Sequence, residues 1–140
     1  MKLLFPGVDA FLEIDVLSYQ HPNSTDLTDL NWLSCKVSCQ IGSLGIKEIL
    51  SLEPYDFIEL QKSIIAFTEY ISNTIEFQTL EDQLRFTIKR GKSTHIIMQG
   101  KITTMPPVYG SFSFEFEAES LFFSTIESLK NIILHFPVIT

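Results

Sequence analysis

From Tyr109 to Phe136 an alternating stretch runs straight into a helical one, and this joint constrains the fold more than any other feature of the chain. Phe112, Phe114, Phe116 and Ala118 share one parity while Ser113, Glu115, Glu117 and Glu119 take the other, so the strand is apolar on one face and acidic on the other. Ser120 is the expected N-cap. Phe122, Ile126, Leu129, Ile133 and Phe136 then recur at helical spacing until Pro137 ends the run. A strand of this kind needs a core on one side only, and the helix that follows it has a single apolar stripe with which to cover that core.

The rest of the chain reads in the same terms. Phe11 to Tyr19 alternates, with Leu12, Ile14 and Val16 on one face, and His21 to Leu30 has the composition of an exposed loop. Asn31 to Ile41 and Leu44 to Leu52 form a hairpin across Gly42-Ser43. A strict register sets Val37 opposite Glu48, between the apolar pairs Cys39–Ile46 and Cys35–Leu50. Either Glu48 is a buried carboxylate, or a bulge after Ile46 resets the alternation; the bulge is the preferred reading because buried charge needs a partner. A helix is expected from Pro54 to Ser72, with Phe57, Leu60, Ile64, Phe67 and Ile71 as its buried stripe. A short strand at Ile75 to Thr79, one around Leu84 to Ile88 and one from His95 to Thr103 complete the set, before Met105-Pro106-Pro107 breaks the sheet.

These elements predict one α+β domain over residues 1–140: a curved antiparallel sheet of six or seven strands with two helices packed on one face. The other face is expected to stay open and to carry Glu13, Asp15, Lys36, Arg85, Glu115 and Glu117. Trp32, of opposite parity to Leu33 and Cys35, reads either as an interface anchor or as cover over a sheet edge.

Composition narrows the function classes. A net charge of -7 disfavours a general nucleic-acid binder, which needs Lys and Arg gathered on one face. Met1 to Phe5 is too short for the apolar core of a signal peptide, and no apolar run approaches the roughly 20 residues of a membrane helix, so a soluble intracellular protein is expected. Cys35 and Cys39 stand about 13 Å apart at strand rise, too far to pair, and read as reduced core thiols. His21, His95 and His135 are scattered, so no metal site is expected. Gly91-Lys92-Ser93 lies between two strands, with Phe86 where a phosphate loop needs its first glycine. No catalytic constellation is visible and no cofactor is implied. Because spatially assembled sites leave no local motif, a small-molecule-binding domain or enzyme on the concave sheet face stands as the alternative to a binding protein. A homo-oligomeric scaffold is a third possibility; the sequence leaves the oligomeric state open.

Several features in one order resemble the WapI-type immunity proteins of bacteria. They are the Phe11-Leu12-Glu13-Ile14 strand, Asn-Trp-Leu at Asn31 to Leu33, Asp56-Phe57 at the first helix, His95-Ile96 followed by Gly100, and the Phe112 to Phe116 strand leading into the last helix. The resemblance implies a cytoplasmic, non-catalytic protein that binds the toxic C-terminal domain of a partner toxin, typically a nuclease, and neutralises it. Glu13, Asp15, Trp32, Glu115 and Glu117, with the His21 to Leu30 loop, are the candidate partner surface, since acidic groups complement a basic cleft.

Overall fold

The computed structural model describes residues 1–93, 95–119 and 122–140, with the side chains of residues 122 and 123 outside the description. Its strands are β1 (Lys2–Gly7), β2 (Ala10–Tyr19), β3 (Leu33–Ile41), β4 (Leu44–Leu52), β5 (Thr74–Gln78), β6 (Leu84–Arg90), β7 (Ile96–Thr103) and β8 (Ser111–Ala118). Two main helices, α2 (Pro54–Thr68) and α3 (Phe122–His135), follow β4 and β8, and a single turn of helix, α1 (Leu27–Leu30), lies in the loop before β3. The strands form one antiparallel sheet in the order β4-β3-β2-β1-β8-β7-β6-β5. The sheet has eight strands, against an expected six or seven, and is not strongly curled, against an expected curvature. The additional strand is β1, a short segment interrupted by Pro6.

Two four-stranded meanders meet where β1 touches β8, and their joint is one bridge, Gly7 opposite Ala118. Val8 donates to the Glu117 carbonyl at 3.0 Å and Glu119 donates to the Pro6 carbonyl at 2.9 Å. Proline has no N–H to return, so the Glu119–Pro6 pair lacks its reciprocal bond. Gly7 is needed for the close approach: a Cβ there would stand 2.2 Å from the Phe116 ring.

One face of the sheet is the core. Leu3, Leu12, Ile14, Leu33, Val37, Ile75, Ile88 and Ile102 are fully buried against α2 and α3. The phenylalanines bind the two halves together. Phe5 of β1 lies 5.4 Å from Phe86 of β6 between ring centroids, and Phe77 of β5 stacks on Phe86 at 4.8 Å.

Two readings of the alternation are corrected. The β3–β4 register is continuous, with Val37 opposite Glu48, so no bulge follows Ile46. Glu48 does lie on the core parity, but on an edge strand at the outer end of the covered face, where it is half-buried; an inward-pointing charge at an edge also discourages pairing with another chain. The bulge is instead in β2, between Val16 and Ser18. It brings Tyr19 opposite Leu33 and so onto the core side, where its ring meets Phe136 at 5.6 Å and its hydroxyl donates to the Pro137 carbonyl at 2.7 Å.

The helices differ from expectation at their ends. α2 stops at Thr68, four residues before Ser72, because Tyr70 takes a left-handed backbone (φ 58) and Ile71 donates back to the Ala66 carbonyl. Ile71 is therefore exposed, while Phe57, Leu60, Ile64 and Phe67 are buried as expected. Arg90 fastens this end: its guanidinium lies over the Phe67 and Tyr70 rings and donates to the Phe67 and Ser72 carbonyls. In α3 the stripe is turned by about one position, with Thr125, Leu129 and Ile132 innermost and Ile126, Ile133 and Phe136 partly buried. The N-cap expected at Ser120 and the side chain of Phe122 lie outside the described residues.

At the start of α2 the Asp56 carboxylate accepts a hydrogen bond from the Glu53 N–H at 2.7 Å. Burial nevertheless pushes its pKa up from 3.8 to about 6, with the Glu53 charge adding to the effect and the backbone bond opposing it. The folded protein thus holds this proton more tightly than the unfolded chain. The stability this group contributes is fully present below its ordinary pKa and is lost as the pH rises through about 6. Asp56→Asn keeps an acceptor for Glu53 and removes the titration. Urea unfolding should show the mutant gaining on the wild type by on the order of 2 kcal/mol between pH 4 and pH 7. A difference that stays flat across that range would refute the assignment.

Candidate functional site

Alternation and register place Glu13, Asp15, Lys36, Arg85, Glu115 and Glu117 on the face of the sheet away from the helices. The four acids do not form one cluster. Glu13 and Asp15 lie on β2 opposite Leu4 and Lys2 of β1, whereas β8 meets β1 only at Gly7 and runs away in the other direction. Counting along the strands, the two acidic pairs are separated by about 13 to 26 Å, plus two strand spacings across the sheet.

Each pair also has cations beside it. The N-terminal amine is 3.2 Å from Asp15, Lys2 is 4.0 Å from Glu13, and Lys36 stands opposite Asp15 on β3. Glu117 pairs with the His95 imidazole. Of the ten Lys and Arg residues, six lie on this face (Lys2, Lys36, Lys47, Arg85, Lys89 and Lys101), but Glu76 is the only further acid on its strands beside the four named. The excess negative charge therefore sits on the helices, loops and turns, and the open sheet face is mixed.

Trp32 is half-buried between α1 and β3, at the Asp15 end of the face and far from Glu115. Its neighbour Asn31 has a role that spacing did not reveal. The Asn31 side chain donates to the Ile139 carbonyl at 3.0 Å and accepts from the Ile139 N–H at 2.8 Å, clasping the C-terminal segment across 108 residues of sequence. The loop before it is ordered by Asp26, whose carboxylate caps α1 by accepting from Thr28 at 2.7 Å.

The face is shaped by an open trough of about 850 Å³ over β5 to β8, floored by Gly100 and bordered by Glu76, Arg85, Lys89, Lys101 and Glu115. Gly100 lies under the Phe114 ring and against the Arg85 carbonyl, and its missing side chain is what lets the strands close there. Neither cysteine nor Glu48 lines the trough. Cys35 and Cys39 are buried, and burial pushes both thiols up to about 12, which leaves them protonated and unreactive at neutral pH. Among the described residues no group of three His, Cys, Asp or Glu side chains is placed to hold a metal ion. No described helix is long and apolar enough to cross a membrane.

A family model described as the Immunity protein WapI-like family matches residues 4–137, from β1 to the segment after α3. The chain belongs to this family. No curated protein matches it. As a WapI-like immunity protein it is a binding protein and not an enzyme, and its family implies neutralisation of a cognate toxin protein. The features on which the resemblance rested have structural places in the immunity protein. Asn31 ties down the C-terminus, Asp56 caps α2, Gly100 admits Phe114, and Phe114 and Phe116 are core residues.

Proposed function

We propose that this immunity protein acts in the cytoplasm, binding the toxic domain of its cognate toxin one to one and without turnover, and that the domain is a nuclease whose basic cleft it covers. The observation that carries the reading is the family match over residues 4–137. The uncovered face of the sheet supports it, being large, polar and backed by a rigid core. The net charge of -7 steers a basic domain toward the protein from a distance, and Glu13 with Asp15, Trp32, and Glu115 with Glu117 make contact as separate points on that face.

The surface is tested by reversing the two acidic pairs separately, Glu13→Lys with Asp15→Lys and Glu115→Lys with Glu117→Lys. Each double variant should bind the toxin domain at least about tenfold more weakly, with a slower association rate and a shallower salt dependence. Affinity unchanged in both would discard the acidic contact surface while leaving family membership standing. A deep pocket lined by Glu48, a cysteine and a histidine would favour the ligand-binding alternative; the trough is open and has none of these in its lining.

A further inference from the structure

The trough over β5 to β8 contains an arrangement that the acidic surface does not use. Arg85 and Lys101 stand directly opposite each other on β6 and β7, flanked in the same row by Gln78 on β5 and Ser113 on β8. Like charges directly across a strand pair are destabilising. Neither side chain has an ion-pair or hydrogen-bond partner among the described residues. The row therefore presents two positive charges with an amide and a hydroxyl beside them, which is a receptor for an anion that the protein itself does not supply.

The same end of the trough carries the apolar groups of an interface. The β7–β8 loop begins three residues beyond Lys101 and exposes Val108 and Tyr109, which are 65% and 84% accessible; Leu80 on the β5–β6 turn is 70% accessible. The loop is held in shape by Thr104, whose hydroxyl donates to the Val108 carbonyl and accepts from the Gly110 N–H, both at 2.8 Å. An aromatic tip at the same end of the strands as an arginine without an ion-pair partner has the composition of a binding hot spot.

We propose that this row, with the Val108–Tyr109 tip, is where the cognate toxin domain docks a carboxylate-bearing segment. The inference rests on the toxin-neutralising reading above and specifies its geometry. A nuclease cleft that holds its metal ion through carboxylates presents them among the basic groups that hold the nucleic acid. Arg85 and Lys101 meet those carboxylates, while Glu76 and Glu115, one row away, meet the surrounding basic groups. The charge mixture of this face is complementary to such a cleft where a uniformly acidic face would not be. A nucleic-acid strand also offers anions, but the acids of the next row and the net charge of -7 oppose it.

The test uses the full chain and, as probe, the C-terminal toxic domain of its cognate toxin. The variants are Arg85→Glu with Lys101→Glu, the milder Arg85→Gln, and Tyr109→Ala. The double reversal should raise the Kd roughly a hundredfold or more, and Tyr109→Ala on the order of tenfold. Arg85→Gln should weaken binding while leaving the melting temperature unchanged or raised, because it relieves a like-charge pair; a residue kept only for the fold would lower it. A toxin carboxylate changed to lysine should restore affinity to the double reversal. Wild-type binding and inhibition matched within about threefold by all three variants would overturn this docking site and leave the immunity reading intact. Failure of the wild type to bind would overturn both. Binding of a single-stranded oligonucleotide that the double reversal abolishes, with toxin affinity unchanged, would also overturn the carboxylate assignment.

Discussion

Phe86→Ala should lower the unfolding free energy by about 3 to 5 kcal/mol, the largest loss expected from any single core truncation in this protein. Phe86 is 2% accessible and sits between Phe5 of one meander and Phe77 of the other edge. Its ring supplies contacts that the single backbone bridge between β1 and β8 cannot. Truncation removes the buried ring, leaves a cavity and loosens the stacked pair at once. Guanidinium unfolding followed by circular dichroism measures this directly. Phe112→Ala, at a partly buried position on β8, two strands from β6, should cost clearly less. Equal losses at the two positions would show that Phe86 does not join the halves.

Gly100→Ala is the second large effect, and it acts by overpacking. The new Cβ would stand 2.4 Å from the Arg85 carbonyl oxygen, 2.6 Å from the Phe114 ring and 2.7 Å from the Phe86 Cβ. One of these neighbours is backbone and another is fixed by its own strand, so β6 and β7 must separate to admit the methyl group. A loss of about 3 kcal/mol, at the upper end for an added methyl group, is expected. Gly110→Ala is the control, since its nearest neighbour would be the Thr104 Oγ1 at 3.8 Å, and it should be close to neutral. Gly100→Ala also moves the floor of the trough, so toxin affinity should fall with stability in this variant, whereas it should fall without stability in Arg85→Gln.

Local pattern carried much of this fold. The alternation of β2, β6 and β8 and the stripe of α2 through Phe67 were legible because each depends only on residues two, three or four apart. What was not legible depends on longer reach. β1 is short and contains Pro6, so no window of alternation announces it; its place comes from pairing with β2 and from one bridge to β8. Val37 opposite Glu48 invites a bulge when the sheet is imagined as covered end to end, but at an edge strand the carboxylate is only half-buried and no bulge is required. The bulge that exists, at Leu17, serves Tyr19, whose partners Phe136 and Pro137 lie at the far end of the chain.

The site was legible as a face but not as a cluster. Parity put Glu13, Asp15, Glu115 and Glu117 on the uncovered side, and nothing in their spacing said that β1 and β8 diverge and carry the two pairs apart. Arg85 was placed on that face without its partner in charge, because the Arg85–Lys101 pairing depends on the β6–β7 register. The 16-residue spacing of the two was visible, but only the hairpin around Gly91 makes them neighbours. Asn31 was singled out beside Trp32 for its motif, and its bonds to Ile139 belong to tertiary structure alone.

The most direct test of the account is an activity titration: the cognate toxin domain at fixed concentration, well above the expected Kd, assayed for the nuclease activity proposed for it while this protein is added. The account predicts a linear fall to zero at one equivalent, with a one-to-one complex recovered by gel filtration. No inhibition, or inhibition complete at a small fraction of an equivalent, as turnover would give, would contradict it.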